Sequence, residues 1–305
     1  VIILTVSLLT IILVPTILVK CWDGFIDNKA KEIIVEVRTD EGEIKEIVLE
    51  EYLKGVVAAE MPASFKVEAL KAQAVAARTY ILRKLQGSTR RRVKITTDIN
   101  LDQAWISKEE MIGKWGKFNY YFKISKAVEE TEGIFLAYQG KAISAVYHSA
   151  SGDMTEDSEN VWGRDLPYLK SVKSYYEIDS PYNRYFQDYS LNEFIKKIGL
   201  KKRLDKSDLG NLINILSRSK SGRVLEVKVL NKVLTGRELR KRLGLKSTNF
   251  KYQLMGNNIR FITSGNGHGV GLSQYGANGM AKRGYNYFEI LSHYYSGVEF
   301  RRMNH

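Results

Sequence analysis

Three short stretches of this sequence carry residues that could do chemistry: AAEMP at 58–62, YHSASGDMTE at 147–156 and GHGVGLSQYGA at 267–277. The first offers one carboxylate, Glu60, two residues before Pro62. Proline lacks a backbone donor and pushes Met61 out of the helical region, so a helix over roughly Leu49–Ala59 must stop there. An acid at such a junction is either a solvated loop residue or a general acid. The dipole at a helix C-terminus disfavours its charge, and Val56, Val57, Ala59 and Met61 surround it with apolar groups. Both effects raise a carboxyl pKa, which is what proton donation near neutral pH requires. Lys71 or Arg78, if close, would act the other way.

The second stretch gathers His148, Ser149 and Ser151, but no Gly-x-Ser-x-Gly elbow surrounds them. The third is glycine-rich, without the lysine of a P-loop or the spacing of a dinucleotide fingerprint. Its glycines either let backbone and the His268 imidazole approach a bulky ligand closely, or make a tight turn with a structural histidine. His148 and His268 are too few to hold a metal unless Asp153 or Glu156 completes the set. Cys21 is the one cysteine, which excludes an intramolecular disulfide and a cysteine-rich zinc site.

The elements that must position these groups follow from periodicity. EIIVEVRTDEGEIKEIVLEEYL alternates around Asp40-Glu41-Gly42 and reads as a hairpin leading into a helix. A second helix over Val67–Leu85 places Val67, Leu70, Ala74, Ala77, Ile81 and Leu85 on one alanine-rich stripe, with Lys71 and Arg78 off it. EGIFLAYQGKAISAVYHSASGD gives two β-rich runs joined at Gln139-Gly140, with His148 where the second leaves the sheet. Residues 190–246 read as a basic elaboration: a helix after Ser190, the strand RVLEVKVL, then a helix opened by a Thr235/Glu238 capping box. FKYQLMGNNIRFITS is another hairpin, and two helices follow the glycine loop, with Gly284 at one end and Asn286 and Glu289 at the next start. The expected fold class is α+β: mixed, largely antiparallel sheets with a central alanine-rich helix and a glycine-rich substrate loop, preceded by one N-terminal transmembrane helix.

That last element rests on residues Val1 to Val19, which are almost wholly apolar and uncharged, close to the ~20 residues that cross a bilayer. With no small-x-small cleavage site before Lys20, the expectation is an uncleaved anchor over 1–20, a juxtamembrane linker over 21–31 and one extracytoplasmic domain over 32–305. At 44% hydrophobic and 27% charged the composition is that of a globular protein. The formal net charge of +13, with runs at Arg90-Arg91-Arg92, Lys201-Lys202-Arg203 and Arg240-Lys241-Arg242, favours an anionic partner: membrane headgroups, nucleic acid or an acidic polymer.

Four segments in order, GVVAAEMPASFKVEALKAQAVAARTY, TTDINLDQAW, YHSASGDMTEDSENVWGRDLPYLKSV and GHGVGLSQYGANGMAKRGYNYFEILSHYYSG, resemble the stage II sporulation protein D family of peptidoglycan lytic transglycosylases. The resemblance implies a mother-cell membrane enzyme facing the septal space, which thins septal peptidoglycan during engulfment in an endospore-forming bacterium. It also implies work beside the sporulation amidase, stage II sporulation protein P, and stage II sporulation protein M. The family's catalytic acid falls on Glu60. Some members bind zinc with cysteines in the His-Ser-x-x-Gly region, where this chain has Ala150 and Ser151, so no metal and no cofactor are expected. A transglycosylase lets the sugar's own C6 hydroxyl attack, so one carboxyl group serves where hydrolysis normally takes two. Candidate substrate-binding residues are His148, Ser149, His268, Ser273, Gln274 and Tyr275, with Lys71, Arg78, Asp98 and Gln103 as further candidates. The rival readings are a non-enzymatic peptidoglycan-binding amidase enhancer, which would not need Glu60, and a membrane-tethered nucleic-acid binder. No nucleic-acid fold signature accompanies the basic runs, so no nucleic-acid partner is expected.

Charge then links to substrate. An amidase that removes the stem peptide frees the lactyl carboxylate, which turns the glycan strand into a polyanion. A domain this basic is expected to bind stripped strands more tightly than peptide-bearing ones, and less tightly as salt screens the attraction over a Debye length of ~8 Å at physiological ionic strength. Affinities for both strand types across a salt series check this. Equal affinity with no salt dependence removes the basic surface from substrate choice.

Overall fold

The computed structural model describes residues 32–39, 42–87, 91–98, 101–115, 118–201 and 204–303. Strand β1 (Ile34–Arg38) pairs antiparallel with β2 (Ile44–Val48), as alternation predicts, while the hairpin tip at Asp40 and Glu41 lies outside the described residues. Helix α1 (Leu49–Glu60) continues directly from β2 and stops where Met61 turns extended (φ −120°, ψ 143°) before Pro62. Helix α2 (Val67–Leu85) follows with the bounds its periodicity predicts. Strand β3 (Arg92–Thr96) then joins β1 in parallel.

Two helices, α3 (Lys108–Trp115) and α4 (Phe118–Glu129), lead to β4 (Ile134–Tyr138) and the short β5 (Lys141–Ala142). The chain leaves that sheet and forms β6 (Tyr147–His148), then α5 (Ser158–Trp162). The expectation of one strand running to His148 is therefore corrected: β5 stops at Ala142, and β6 pairs with a distant strand instead.

A second group of elements runs through β7 (Tyr185–Ser190), α6 (Leu191–Ile198), α7 (Lys206–Leu209), β8 (Ile213–Arg218), β9 (Val224–Val229), β10 (Lys232–Thr235), α8 (Gly236–Leu243), β11 (Phe250–Met255) and β12 (Asn258–Thr263). It forms two antiparallel sheets, β10-β9-β8 and β11-β12-β7. Its own core gathers the rings of Tyr189, Phe194, Phe250 and Tyr252 around Phe261. The Thr235/Glu238 capping box opens α8. The chain returns through β13 (Leu272–Ser273), which pairs in parallel with β6, then α9 (Gln274–Lys282), α10 (Tyr287–Tyr294) and β14 (Glu299–Arg302), which pairs with β4. Asn286 and Glu289 form the capping box of α10.

The larger core is built around α2. Ala69, Ala72, Ala74, Ala76 and Ala77 are fully buried, so α1, α4, α9, α10 and β4 pack against it on several sides. Small side chains permit that close approach, and any enlargement would overpack it. The fold is thus α+β with mostly antiparallel sheets, but its expected membrane-spanning part is corrected. Among the described residues no helix is long and apolar enough to cross a membrane, and the apolar run over 1–20 lies outside them. Even the 19-residue α2 carries Glu68, Lys71, Arg78, Arg83 and Lys84.

Packing on several sides of α2 also places Arg78, expected off the buried stripe, inside the core. Its guanidinium forms a fork with Glu50: Nε to Oε1 at 2.7 Å and Nη2 to Oε2 at 2.5 Å, with Nη1 donating to the Ile134 carbonyl at 3.0 Å. Arg78→Met strands the Glu50 carboxylate, which is 24% exposed. The expected loss is about 3 kcal/mol of unfolding free energy, the low end for removing one partner of a buried pair. Urea denaturation measures it, and a loss below about 1 kcal/mol would show that the pair is not structural.

Candidate active site

Glu60 closes α1 and is half-buried. Its Oε1 accepts the Ala104 N–H at 2.9 Å and lies 3.4 Å from the Tyr147 hydroxyl, while Oε2 accepts from Gln274 Nε2 at 3.3 Å. Tyr147 also donates to Gln103 Oε1 at 2.9 Å, and Gln274 Nε2 reaches Gln73 Oε1 at 3.4 Å. Every one of these partners is neutral. Burial raises the Glu60 pKa, and the hydrogen bonds from Ala104, Gln274 and Tyr147, which favour the anion, only partly offset it.

Local sequence explains why these groups meet. A Cβ on Gly55 would fall 2.3 Å from Trp105 Nε1 and 2.4 Å from the Ile106 carbonyl oxygen, so the segment around Ala104 lies directly on α1 only because residue 55 is glycine. The parallel pair β6–β13 sets Tyr147 opposite Leu272 and His148 opposite Ser273. Gln274, the first residue of α9, follows at once. A second carboxylate, Asp102, lies two residues before Ala104, on the segment whose Ala104 N–H meets Glu60. Burial raises Asp102 too, but Lys84, the Tyr80 hydroxyl at 2.7 Å and the Thr96 N–H at 3.0 Å outweigh it and hold its pKa below the usual range.

Behind β6 and β13 sits a buried hub, Glu177. It accepts the Ser151 N–H at 2.9 Å, the Gly152 N–H at 3.0 Å, and the Ser174 and Ser273 hydroxyls at 2.6 Å each. From the other side Arg223 donates Nη2 to the Ser151 carbonyl at 2.8 Å and Nη1 to the Met154 carbonyl at 2.9 Å. It fits beneath Gly269, whose φ of +85° suits glycine and whose added Cβ would meet the guanidinium at 2.4 Å.

His148 is buried with Nδ1–H donating to the Val270 carbonyl at 3.1 Å, so Nε2 accepts from Ser151 Oγ at 2.7 Å. Burial, His268 and Arg223 push its pKa well below the ordinary value. His268 Nδ1 accepts the Val270 N–H at 3.0 Å, and burial with Arg240 lowers its pKa to about 4. Both imidazoles are therefore neutral at pH 7. Their rings lie 5.5 Å apart, and of the two carboxylates that could complete a metal set, Asp153 or Glu156, the latter accepts from Ser219, Ser221 and Asn160. Among the described residues no group of three or more His, Cys, Asp and Glu is gathered.

The structure thus brings Glu60, Gln103 and Gln274 together, with His148, His268 and Ser273 in the adjoining layer. Ser149 accepts the Tyr275 N–H through its carbonyl at 3.0 Å, and the Tyr275 ring packs edge-on to Phe65 at 5.1 Å. Two candidates sit elsewhere. Lys71 pairs with Glu68 and Glu130, and Arg78 with Glu50, while the backbone carbonyl of Asp98 accepts the Leu101 and Asp102 N–H groups in the loop after β3. Sequence reasoning missed Tyr147, Gln73 and Asp102, although Tyr147 precedes His148 and Asp102 precedes Gln103 in segments already singled out.

A family model described as stage II sporulation protein matches residues 37–138. The chain is 40% identical to stage II sporulation protein D of Bacillus subtilis (strain 168), covering 89% of this chain and 80% of that one. It is also 40% identical to stage II sporulation protein D of Bacillus amyloliquefaciens, over 86% of this chain and 76% of that one. It is 31% identical to an amidase enhancer of Bacillus subtilis (strain 168), over 81% of this chain and 40% of that protein.

The raised Glu60 pKa also sets a stability trend. Its carboxyl holds the proton more tightly folded than unfolded, so stability is greatest below the ordinary carboxylate range and declines as pH rises towards the folded pKa. Glu60→Gln removes that decline. The variant is expected to melt at higher temperature than the parent at neutral pH, with the gain shrinking as pH falls to about 4. Thermal scans at several pH values check this, and a gain that does not vary with pH would contradict it.

Proposed function

The chain belongs to the stage II sporulation protein D family, and on that premise we propose that its domain is a peptidoglycan lytic transglycosylase with Glu60 as proton donor. One observation carries the reading: a half-buried carboxyl, raised in pKa by burial and held by neutral groups only. The Glu60 proton passes to the glycosidic oxygen between MurNAc and GlcNAc, and the bond from that oxygen to MurNAc C1 breaks. The MurNAc C6 hydroxyl closes on C1, and its proton returns to Glu60, leaving a 1,6-anhydro end. One group acts first as acid and then as base, so no external water enters. Tyr147, Gln103 and Gln274 supply donors and acceptors suited to sugar hydroxyls around the carboxyl.

The domain would act outside the cytoplasm on septal peptidoglycan during engulfment, on strands stripped by the sporulation amidase, stage II sporulation protein P, with stage II sporulation protein M as a further partner. The amidase enhancer relative supports a second reading, in which the domain binds glycan and stimulates an amidase without cutting.

Mass spectrometry of stripped strands digested by the purified protein separates the two. Anhydro-ended fragments are expected, with cleavage falling roughly 10²–10⁴-fold in Glu60→Gln and declining in the parent as pH rises past the Glu60 pKa. Reducing ends would point to hydrolysis. No cleavage, with stimulation of an added amidase by parent and variant alike, would select the enhancer reading.

A further inference from the structure

Trp162 is the last residue of α5 and is 40% exposed. Exposure alone says little, but this side chain is held in place. Ser158 pins the helix by donating to the Arg164 carbonyl and accepting the Leu166 N–H, and Asn160 donates to Glu156. Gly163, in the left-handed region, ends the helix directly after the indole. The indole is centred 5.2 Å from the His268 ring, tilted by 57°. His268 lies against the backbone of Tyr147, whose phenol reaches Glu60. A continuous strip of contacts, through Tyr147 and His268, therefore joins the acid to Trp162.

The smaller lobe completes the strip. Arg237, exposed on α8, donates from Nη1 to the Val161 carbonyl and so stands at the residue beside Trp162. Arg240, from the same helix, lies near His268. This couples an indole face, which packs against the apolar C–H face of a pyranose ring, to a guanidinium that can fork onto a carboxylate.

We propose that Trp162 and Arg237 form a glycan subsite outside the Glu60 cradle, which takes a sugar ring carrying a carboxylate substituent. Trp162 supplies the platform, and Arg237, brought by the basic lobe, holds the charged group. The proposal rests on the glycan-binding part of the function above, not on cleavage.

Binding to the protein carrying Glu60→Gln, which separates affinity from turnover, tests it. The probes are a peptide-stripped peptidoglycan oligosaccharide and a neutral N-acetylglucosamine oligomer of equal length. Adding Trp162→Ala is expected to weaken both by roughly tenfold or more, the scale of losing an aromatic anchor. Trp162→Phe should recover part of that affinity, and Arg237→Gln should weaken only the carboxylate-bearing probe. Quenching of indole fluorescence by both probes, lost in Trp162→Ala, gives a second readout. Unchanged affinity in Trp162→Ala, or absence of binding by either probe to the Glu60→Gln protein, overturns the subsite. If Trp162→Ala loses binding while Glu60 proves dispensable for cleavage, the subsite stands and the transglycosylase reading falls.

Discussion

The arrangement depends on keeping one carboxyl group protonatable inside a strongly basic protein. With a formal net charge of +13, a lysine or arginine beside Glu60 would be the easy outcome. Two unit charges 4 Å apart interact by ~4 kcal/mol at an effective dielectric of ~20, equivalent to about three pKa units. That is enough to return a raised carboxyl to the ordinary range or below it. Cations of the same lobe are engaged elsewhere instead: Lys71 with Glu68 and Glu130, Arg78 with Glu50, Lys84 with Asp102, and Lys123 with the carbonyls of Ala63 and Phe65. The hydrogen bonds to Glu60 come from an amide N–H, a side-chain amide and a phenol. Burial therefore decides its pKa.

A second buried carboxyl, Glu177, whose pKa burial raises against the donors around it, and the buried Arg223 fix the layer behind the acid. The Ser151 peptide is held from two sides, its N–H on the Glu177 carboxylate and its carbonyl on the Arg223 guanidinium. Neither charge forms a direct salt bridge with the other. Each instead orders neutral groups: Glu177 gathers Ser273 and Ser174, and Arg223 carries the β8–β9 turn onto the loop that bears His268. Charge-assisted hydrogen bonds of this kind are stronger than neutral ones, and leaving either group unmatched would be costly. The second group of elements is thereby coupled to the site through a buried arginine.

Local signals in the sequence were sufficient for much of this. Proline after Met61 fixed the end of α1, alanine spacing gave α2 to its terminal residues, and Asn286 with Glu289 marked the start of α10. What escaped was long-range. The parallel pairing of Tyr147 with Leu272 joins two-residue strands far apart in the chain, and no periodicity is visible in so short an element. Arg78 looked solvent-facing because a stripe was assumed, whereas α2 is packed on several sides and admits a cation only with Glu50 as partner. Residues 1–20, where the apolar pattern was clearest, lie outside the described residues.

Asp102 bears on which chemistry the raised Glu60 carboxyl can support. Hydrolysis needs a second carboxylate able to take a proton from water or to attack the sugar. Asp102 lies on the segment that meets Glu60, but its side chain is 7% exposed and three donors converge on it. A carboxylate held below its usual pKa is a poorer base, and one shielded from solvent cannot readily present a water. Tyr80 and Lys84 on α2, with Thr96 at the end of β3, thus make Asp102 an anchor for the loop that carries Gln103 and Ala104 to Glu60. Its charge orders the loop beside Glu60. That division, one carboxyl raised by burial and one held below its usual range by its donors, is the contrast on which the transglycosylase proposal rests.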